Sequence, residues 1–574
     1  MAKLLLGPLL RHVGERDATI WVETDEPGVV SVHAGGPHRR PNDPSGTGQT
    51  FTVGGHHYAI VVLDGLEPGR PTPYEVRLDG VIVWPEPGSK FPASRIRTID
   101  PGKRVQILFG SCREPPSVRP LDKALDPDIF DAYAARMAKW PDADWPDVLL
   151  LVGDQVYADD TSAEVQEYIK AHRDITKPPL SEVADFEEYT RLYYESWGEP
   201  SVRWLLSTLP TSMIFDDHDV RDDWNTSQAW RDEMARTGWW AERITGALMS
   251  YWIYQHLGNL SPQRLAEDEL LARIRAETDG EHVLREFAQA ADRETDGAKG
   301  TIWSYRRDYG DVRLVVVDSR CGRILADDRR SMLSDDEFGW VERQTDDGTF
   351  EHLVVASSMP WLLPRALHDI ESWNEALCAG SRGERLARLG ERVRRAVDLE
   401  HWAAFRKSFD RLAAWFAKVG SGEQAPTTIT VVSGDVHHTY VGEAHWPKRL
   451  ASRVYQVTCS PIHNTIPFPM RLVFRLGWSR TVTRIVRIAN RWAKVPPLPI
   501  HWHHPTGPHF GNMLALLVFE GREANVVLER ASTAPDNGDG GRGTKLDVIK
   551  ELSLTATPRQ HAPKRPAAEP RQAA

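Results

Sequence analysis

Two textures of apolar patterning divide the chain. Over residues 1–100, short apolar runs alternate with polar positions between Gly, Pro and Asp, and predict strands over 18–24, 29–34, 51–63, 74–78 and 81–84. After Pro101-Gly102-Lys103-Arg104 the strands become continuous apolar runs, over 105–109, 148–152, 211–215, 314–317, 353–356 and 428–432. Long helical patterns lie between them, at 229–257 and 381–418. Fully apolar strands separated by helices predict an α/β fold with a buried sheet, in which chemistry gathers at strand ends. From residue 531 aromatics thin out and Pro, Gly, Ala, Arg and Asp rise, which predicts a disordered tail over 531–574. The expected organisation is a β-sandwich over 1–100, an α/β catalytic domain over 104–530 and that tail.

Leu66-Glu67-Pro68-Gly69, followed by Pro73-Tyr74-Glu75-Val76, sets a Pro-Gly turn before a Tyr-led strand. The stretch resembles fibronectin type III and immunoglobulin-like sandwiches, in which that tyrosine packs at a corner. The 574 residues are 41% hydrophobic and 26% charged, enough for a large core. A net charge of -11 argues against general nucleic-acid binding. Cys112, Cys321, Cys378 and Cys459 lie far apart, which excludes a disulfide scaffold and a cysteine zinc finger. The last three read as small buried hydrophobes. The N-terminal apolar run is broken by Gly7-Pro8 and leads into strand-like sequence, and no stretch reaches the ~18 apolar residues of a membrane span. The expected compartment is the cytoplasm, ahead of the periplasm or the exterior.

Four strand exits concentrate polar chemistry: Gly110-Ser111-Cys112-Arg113-Glu114, Gly153-Asp154-Gln155-Val156-Tyr157-Ala158-Asp159, Asp216-Asp217-His218-Asp219-Val220 and Ser433-Gly434-Asp435-Val436-His437-His438. One Asp or His after a strand is usually a turn or helix cap. Four such clusters in series suit a two-metal hydrolytic site, where a carboxylate bridges two cations that polarise a phosphoryl group and activate water.

Phe109-Gly-Ser-Cys112, Gly153-Asp-x-x-Tyr157, Asp216-Asp-His-Asp-Val220 with Trp224, and Ser433-Gly-Asp-x-His437 resemble the motifs of the PhoD-like alkaline phosphatases, within the calcineurin-like metallophosphoesterases. An N-terminal β-sandwich also fits that family. The resemblance implies a metallophosphoesterase domain holding Fe(3+) and Ca(2+), with Mn(2+) or Zn(2+) as alternatives. It implies Asp154 as the bridging ligand, Cys112, Tyr157 and His437 toward iron, and Asp217 and Asp435 toward the second metal. Asp216 is a ligand or an orienter, ranked below Asp217, and His218 is the general acid. It implies hydrolysis of small or polymeric phosphoric esters, mono- or diesters, by metal-activated hydroxide.

Departures from the family pattern are visible. Arg221-Asp222-Asp223-Trp224 replaces an Asn-rich segment, and either aspartate is a calcium ligand or solvated. Ser357-Ser358-Met359-Pro360 stands where the superfamily has a lone histidine. Arg113 and Arg320 are candidates to grip phosphate oxygens; for Arg113 a surface ion pair is preferred. His501, His503, His504 and His509 lie among prolines and read as structural. Between Arg471 and Lys494 stand seven basic residues and no acidic one, with Phe474, Trp478, Ile485 and Trp492 among them. That segment is either a core-packed helix with a solvated basic side or an amphipathic contact with an anionic surface. The alternative function is a non-catalytic lipid- or polyanion-binding protein on a phosphatase fold.

Overall fold

A computed structural model describes residues 2–36, 40, 42–115, 127–141, 144–293, 300–464, 475–533 and 544–555. The N-terminal unit is two antiparallel sheets. One orders Leu4–Val13, Asp17–Thr24, His56–Asp64 and Phe51–Val53; the other orders Ser45–Gln49, Val29–Ala34, Pro71–Leu78 and Val81–Trp84, with Arg95–Arg97 beside Pro71–Leu78. Alternation supplies the core: Val30, Val32 and Ala34 point inward against Leu10, Ile20, Val22, Val61 and Val76. The predicted 51–63 strand is two strands, divided by Gly54-Gly55 at φ 59° and 80°.

The first of these sheets is buried on both faces. Leu9, Trp21, Phe51, Tyr58 and Ile60 join the core of the domain that follows. Each such side chain contributes roughly 1.5–3 kcal/mol relative to exposure. Polar groups fasten the same junction. The buried Arg11 guanidinium donates to the carbonyls of Tyr254 (2.8 Å) and Gln255 (2.6 Å). Tyr74, expected at a sandwich corner, donates instead across the junction to the Ser207 carbonyl, at 2.6 Å.

His56 also bridges the junction, through Nδ1 to Glu23 (3.0 Å) and Nε2 to Glu187 (2.6 Å). Burial opposes its charge, but these carboxylates more than offset that and raise its pKa from 6.5 to about 9. A pKa raised on folding stabilises fully below the unfolded value and is lost as pH rises through the folded one. The stability difference between the wild type and His56→Gln is therefore expected to be largest at pH 6.5 and to shrink through pH 9, read by urea unfolding at each pH. A pH-independent difference would refute the pairing.

The α/β domain that follows stacks two sheets. Thr211–Ile214, Val148–Val152 and Val105–Gly110 are parallel, and continue antiparallel through Met513–Glu520, Glu523–Thr533 and Thr544–Ser553. The second sheet runs Tyr305–Tyr309, Val312–Val317, His352–Ser357, Thr428–Ser433, Arg453–Thr458, Thr439–His445 and His501–His509. Ile107, Leu149, Leu517, Val316, Val354 and Val432 share one core between the sheets. Every residue of Val148–Val152, Val312–Val317, His352–Ser357 and Thr428–Ser433 is buried, as their unbroken apolar runs predict.

Three expectations are corrected. The disordered tail does not begin at 531: Thr544–Ser553 pairs with Glu523–Thr533 along its length, while 534–543 and 556–574 lie outside the described residues. Backbone pairing on the sheet edge overrides the polar composition there. The 229–257 helix is two α-helices, Gln228–Met234 and Trp240–Ser250, then a π-helical turn, Tyr251–His256. The 381–418 helix is Glu384–Ala396 and Arg406–Ser421, separated by a connector that includes Asp398 at φ 45°.

Candidate metal centre

Four strand exits meet at one end of the paired sheets, and three of them hold residues in a backbone conformation that L-residues rarely adopt. Cys112, Asp154, Asp435 and His437 have φ of 59°, 50°, 65° and 48°. Such residues persist only where their surroundings impose them, and they cluster at functional sites. The Cys112 and Arg113 amides donate to the carbonyls of Gly153 (3.3 Å) and Asp154 (3.1 Å), locking the first two exits together. Ser111 Oγ reaches across to the second sheet and accepts from the Asp435 amide, at 3.2 Å. A Cβ on Gly434 would lie 1.8 Å from that hydroxyl oxygen, so only glycine lets the exits approach.

Asp219 sets the loops. Its carboxylate accepts from the amides of Gln155 (3.2 Å), Val156 (3.3 Å) and Asp216 (2.9 Å), and from Gln255 Nε2 (3.1 Å). Gln255 belongs to the π-helical turn whose carbonyls Arg11 caps, so the sandwich reaches the site through it.

Asp154 stands in two donor groups. With Cys112 and His437, and again with Asp216 and Asp217, it presents ligand atoms all within 4.8 Å of one another. Asp154 Oδ1 and Asp216 Oδ2 are buried without a hydrogen-bond donor. Burial, then the neighbouring carboxylates, drive Asp154 far above the usual carboxyl range. The same causes push Asp216 up to about 8 and Asp217 to about 6, against the pull of Arg320. Burial and the charges of Asp154 and Asp435 push the Cys112 thiol up; burial, Asp154 and Cys112 do the same to Tyr157. Cations among these groups relieve both the desolvation and the repulsion, so the donor set fits metal. One side mixes sulfur and imidazole with oxygen, and the other is all oxygen.

Tyr157 is buried, with its hydroxyl 3.0 Å from Asn464 Nδ2 and its ring 4.7 Å from that of His218. Ser111 and Ser460 hydroxyls lie 3.2 and 3.1 Å from Cys112 Sγ. His218 Nδ1 bonds to Asp159 at 2.9 Å. Burial alone would discharge the imidazole, but Asp159 holds its pKa well above the usual value, while Asp159 itself falls to about 2. Nε2 faces the partly open side, 3.9 Å from the half-exposed Asp222.

Other predicted residues fall elsewhere. The Asp435 carboxylate lies outside both three-residue groups; it accepts from His401 Nε2 at 2.7 Å and sits 4.0 Å from Arg320. Asp222 and Asp223 also lie outside the groups. Arg320 does not face the opening. It is wholly buried behind the carboxylates, with Nε on Asp216, Nη2 2.9 Å from Asp217 and Nη1 2.6 Å from Glu400. Arg113 is neither a phosphate ligand nor a surface pair: it is buried against Asp128 (2.7 Å) and Glu199 (3.2 Å). Cys321, Cys378 and Cys459 are buried and unbridged. His501 and His503 pair with His445 and Glu443 on the sheet-edge strand His501–His509, the His504 ring lies 4.5 Å from that of Trp478, and His509 pairs with Thr439, just past the 433–438 exit.

Sequence reasoning missed His401 and Glu400. Both sit in the connector between Glu384–Ala396 and Arg406–Ser421, where a continuous helix was expected. Glu371 accepts from His401 Nδ1 at 2.6 Å, which orients Nε2 toward Asp435. The pairing of Asp159 with His218 was also unassigned; an Asp at the end of Gly153-Asp-x-x-Tyr157-x-Asp159 was its visible signal.

Two stacked sheets with carboxylate, imidazole, thiol and phenol groups at their strand exits form an arrangement suited to metal-dependent hydrolysis. The PhoD-like phosphatase family matches residues 111–475, more than half of the chain, and the protein belongs to that family. A domain family of unknown function, DUF7800, matches residues 1–96. No curated protein matches the sequence. A solved structure titled "Structure of PhoD" superposes with a TM-score of 0.57 at 12% identity, covering 95% of this chain and 92% of that one. At that identity the likeness concerns the fold. Among the described residues no helix is long and apolar enough to cross a membrane.

Proposed function

We propose that the protein hydrolyses phosphoric mono- or diesters at a centre of two cations that share Asp154. The observation that carries this reading is the membership of Asp154 in both donor groups. Cys112, Tyr157 and His437 would hold Fe(3+), for which thiolate and phenolate are suited ligands. Asp216 and Asp217, with Asp435 beside them, would hold Ca(2+), which favours oxygen donors. Bound there, the cations supply Lewis acidity toward a phosphoryl oxygen and a water of lowered pKa.

The protein's own groups do the rest. Asp159 keeps His218 protonated, and Nε2, on the partly exposed side, is placed to give its proton to the departing oxygen. Glu371 and His401 hold the Asp435 carboxylate in one orientation, and Arg320 holds Asp216 and Asp217. Arg320 is thus a positioning residue.

Elemental analysis with a visible spectrum tests the metals. Iron near stoichiometric, a tyrosinate charge-transfer band and accompanying calcium are expected; zinc or manganese without the band would overturn the iron assignment. Absence of metal after reconstitution would favour the non-catalytic reading. His218→Ala tests the acid: turnover of alkyl phosphoesters should fall by about 10²–10⁴-fold, with a smaller loss for nitrophenyl esters whose leaving group needs no proton. Equal losses for both would remove His218 from that role.

A further inference from the structure

The helix Arg480–Ala493 carries two outward stripes that the centre does not use. At about 100° per residue, Arg480, Arg484, Arg487 and Arg491 form one stripe, and Ile485, Ile488 and Trp492 form the next. Both are exposed, with Ile485 63%, Ile488 67% and Trp492 48% open to solvent. Its opposite face, including Asn490 and Ala493, is covered. No acidic residue lies on the helix, on a chain whose net charge is -11. The expected seven-base segment thus survives as a helix from Arg480, while 471–474, with Arg471 and Phe474, lie outside the described residues.

Local pairing does not absorb this face. Arg487 approaches the buried Asp369 at 3.5 Å and Arg382 stacks over the Trp492 ring at 5.0 Å, while Ile485 and Ile488 stay bare. The helix is anchored firmly. A Cβ on Gly477, just before it, would lie 2.7 Å from Leu367. Leu367 and Trp478 pack on the small core of Leu363, Val436 and Tyr440, and Val436 stands between Asp435 and His437. The outward face is therefore fixed relative to the metal centre.

We infer that this helix docks the protein on an anionic lipid bilayer, lying in the plane of the headgroups. Arginines pair with lipid phosphates while the neighbouring isoleucines and Trp492 enter the acyl boundary. A soluble polyanion would satisfy the arginines but give the apolar stripe nothing. A second copy packed on the same face would cover the apolar stripe but would set arginine against arginine. The inference concerns binding and stands whether or not the phosphatase reading holds.

The test is flotation of the full chain with phosphatidylcholine vesicles, with and without about 30 mol% phosphatidylglycerol. Binding is expected to the anionic vesicles at low salt, to be weak on phosphatidylcholine alone, and to weaken as salt screens the arginines. Ile485→Asp with Ile488→Asp, and separately Arg484→Glu with Arg491→Glu, should each lower the partition coefficient by about tenfold or more. The far-UV circular dichroism spectrum and the melting temperature of both variants should match wild type, which reports that both fold. Wild-type protein that does not float, or variants that float as well as wild type, would overturn the inference. So would a dimer in sedimentation velocity that both variants dissolve, or soluble polyphosphate binding in place of vesicle binding.

Discussion

Asp154→Asn is expected to leave a folded protein that no longer hydrolyses phosphoesters. The replacement keeps the shape, and asparagine tolerates the positive φ of 50° as well as aspartate does. What it removes is the charge common to both donor groups. A bound metal contributes several kcal/mol of transition-state stabilisation, so kcat/KM should fall by about 10³-fold or more. Elemental analysis should show metal depleted from both groups, since neither keeps its shared anion. The metal-free variant should melt no lower than metal-free wild type, because asparagine matches the neutral carboxyl toward which burial drives Asp154 when no cation is bound. Normal turnover in a folded, metal-replete variant would sink the shared-ligand reading.

Arg320→Met should have the largest effect on stability. The guanidinium is fully buried and serves Asp216, Asp217 and Glu400 together. Methionine fills much of the volume but leaves the buried Asp216 and Asp217 without their cation, while Glu400 keeps Arg323, at 3.1 Å. Breaking a buried pair from one side costs about 3–5 kcal/mol. The melting temperature should therefore drop by several degrees, read by calorimetry or circular dichroism. Added calcium should restore more of it than calcium adds to wild type, since a cation between Asp216 and Asp217 replaces part of the lost charge. Arg320→Lys should recover only part, because one ammonium cannot serve three carboxylates. An unchanged melting temperature would show that the guanidinium is dispensable to these carboxylates.

The strand exits were legible because burial on both faces forces unbroken apolar runs, and a Gly-Asp or Asp-Asp-His cluster at their ends breaks that rule conspicuously. Cys112, Asp154, Asp216, Asp217 and His437 come together for this reason. Groups delivered by loops or across sheets carry no such signature. His401 and Glu400 were hidden inside an Arg- and Ala-rich stretch whose periodicity reads as one helix over 381–418. Arg320 was visible after its strand, but the sequence does not say whether it faces the opening or the carboxylates behind it. The Leu4–Val13 strand was masked by Gly7-Pro8, where the pairing with Asp17–Thr24 shifts register. Thr544–Ser553 was masked by polar neighbours, since an edge strand half open to solvent needs little apolar content.

Arg11 has a consequence for what counts as a domain in this protein. The family match to the sandwich stops at residue 96 and the phosphatase match starts at 111, as if two modules had been joined. Physically there is no seam. A strand near the amino terminus lends its cation to carbonyls of a helical turn, and that turn's glutamine steadies the aspartate on which three strand-exit amides hang. Trp21 and Tyr58 meanwhile fill a wall of the core that encloses the turn. The phosphatase sequence alone lacks one side of its own interior, and the hundred residues before it are the missing half of that wall.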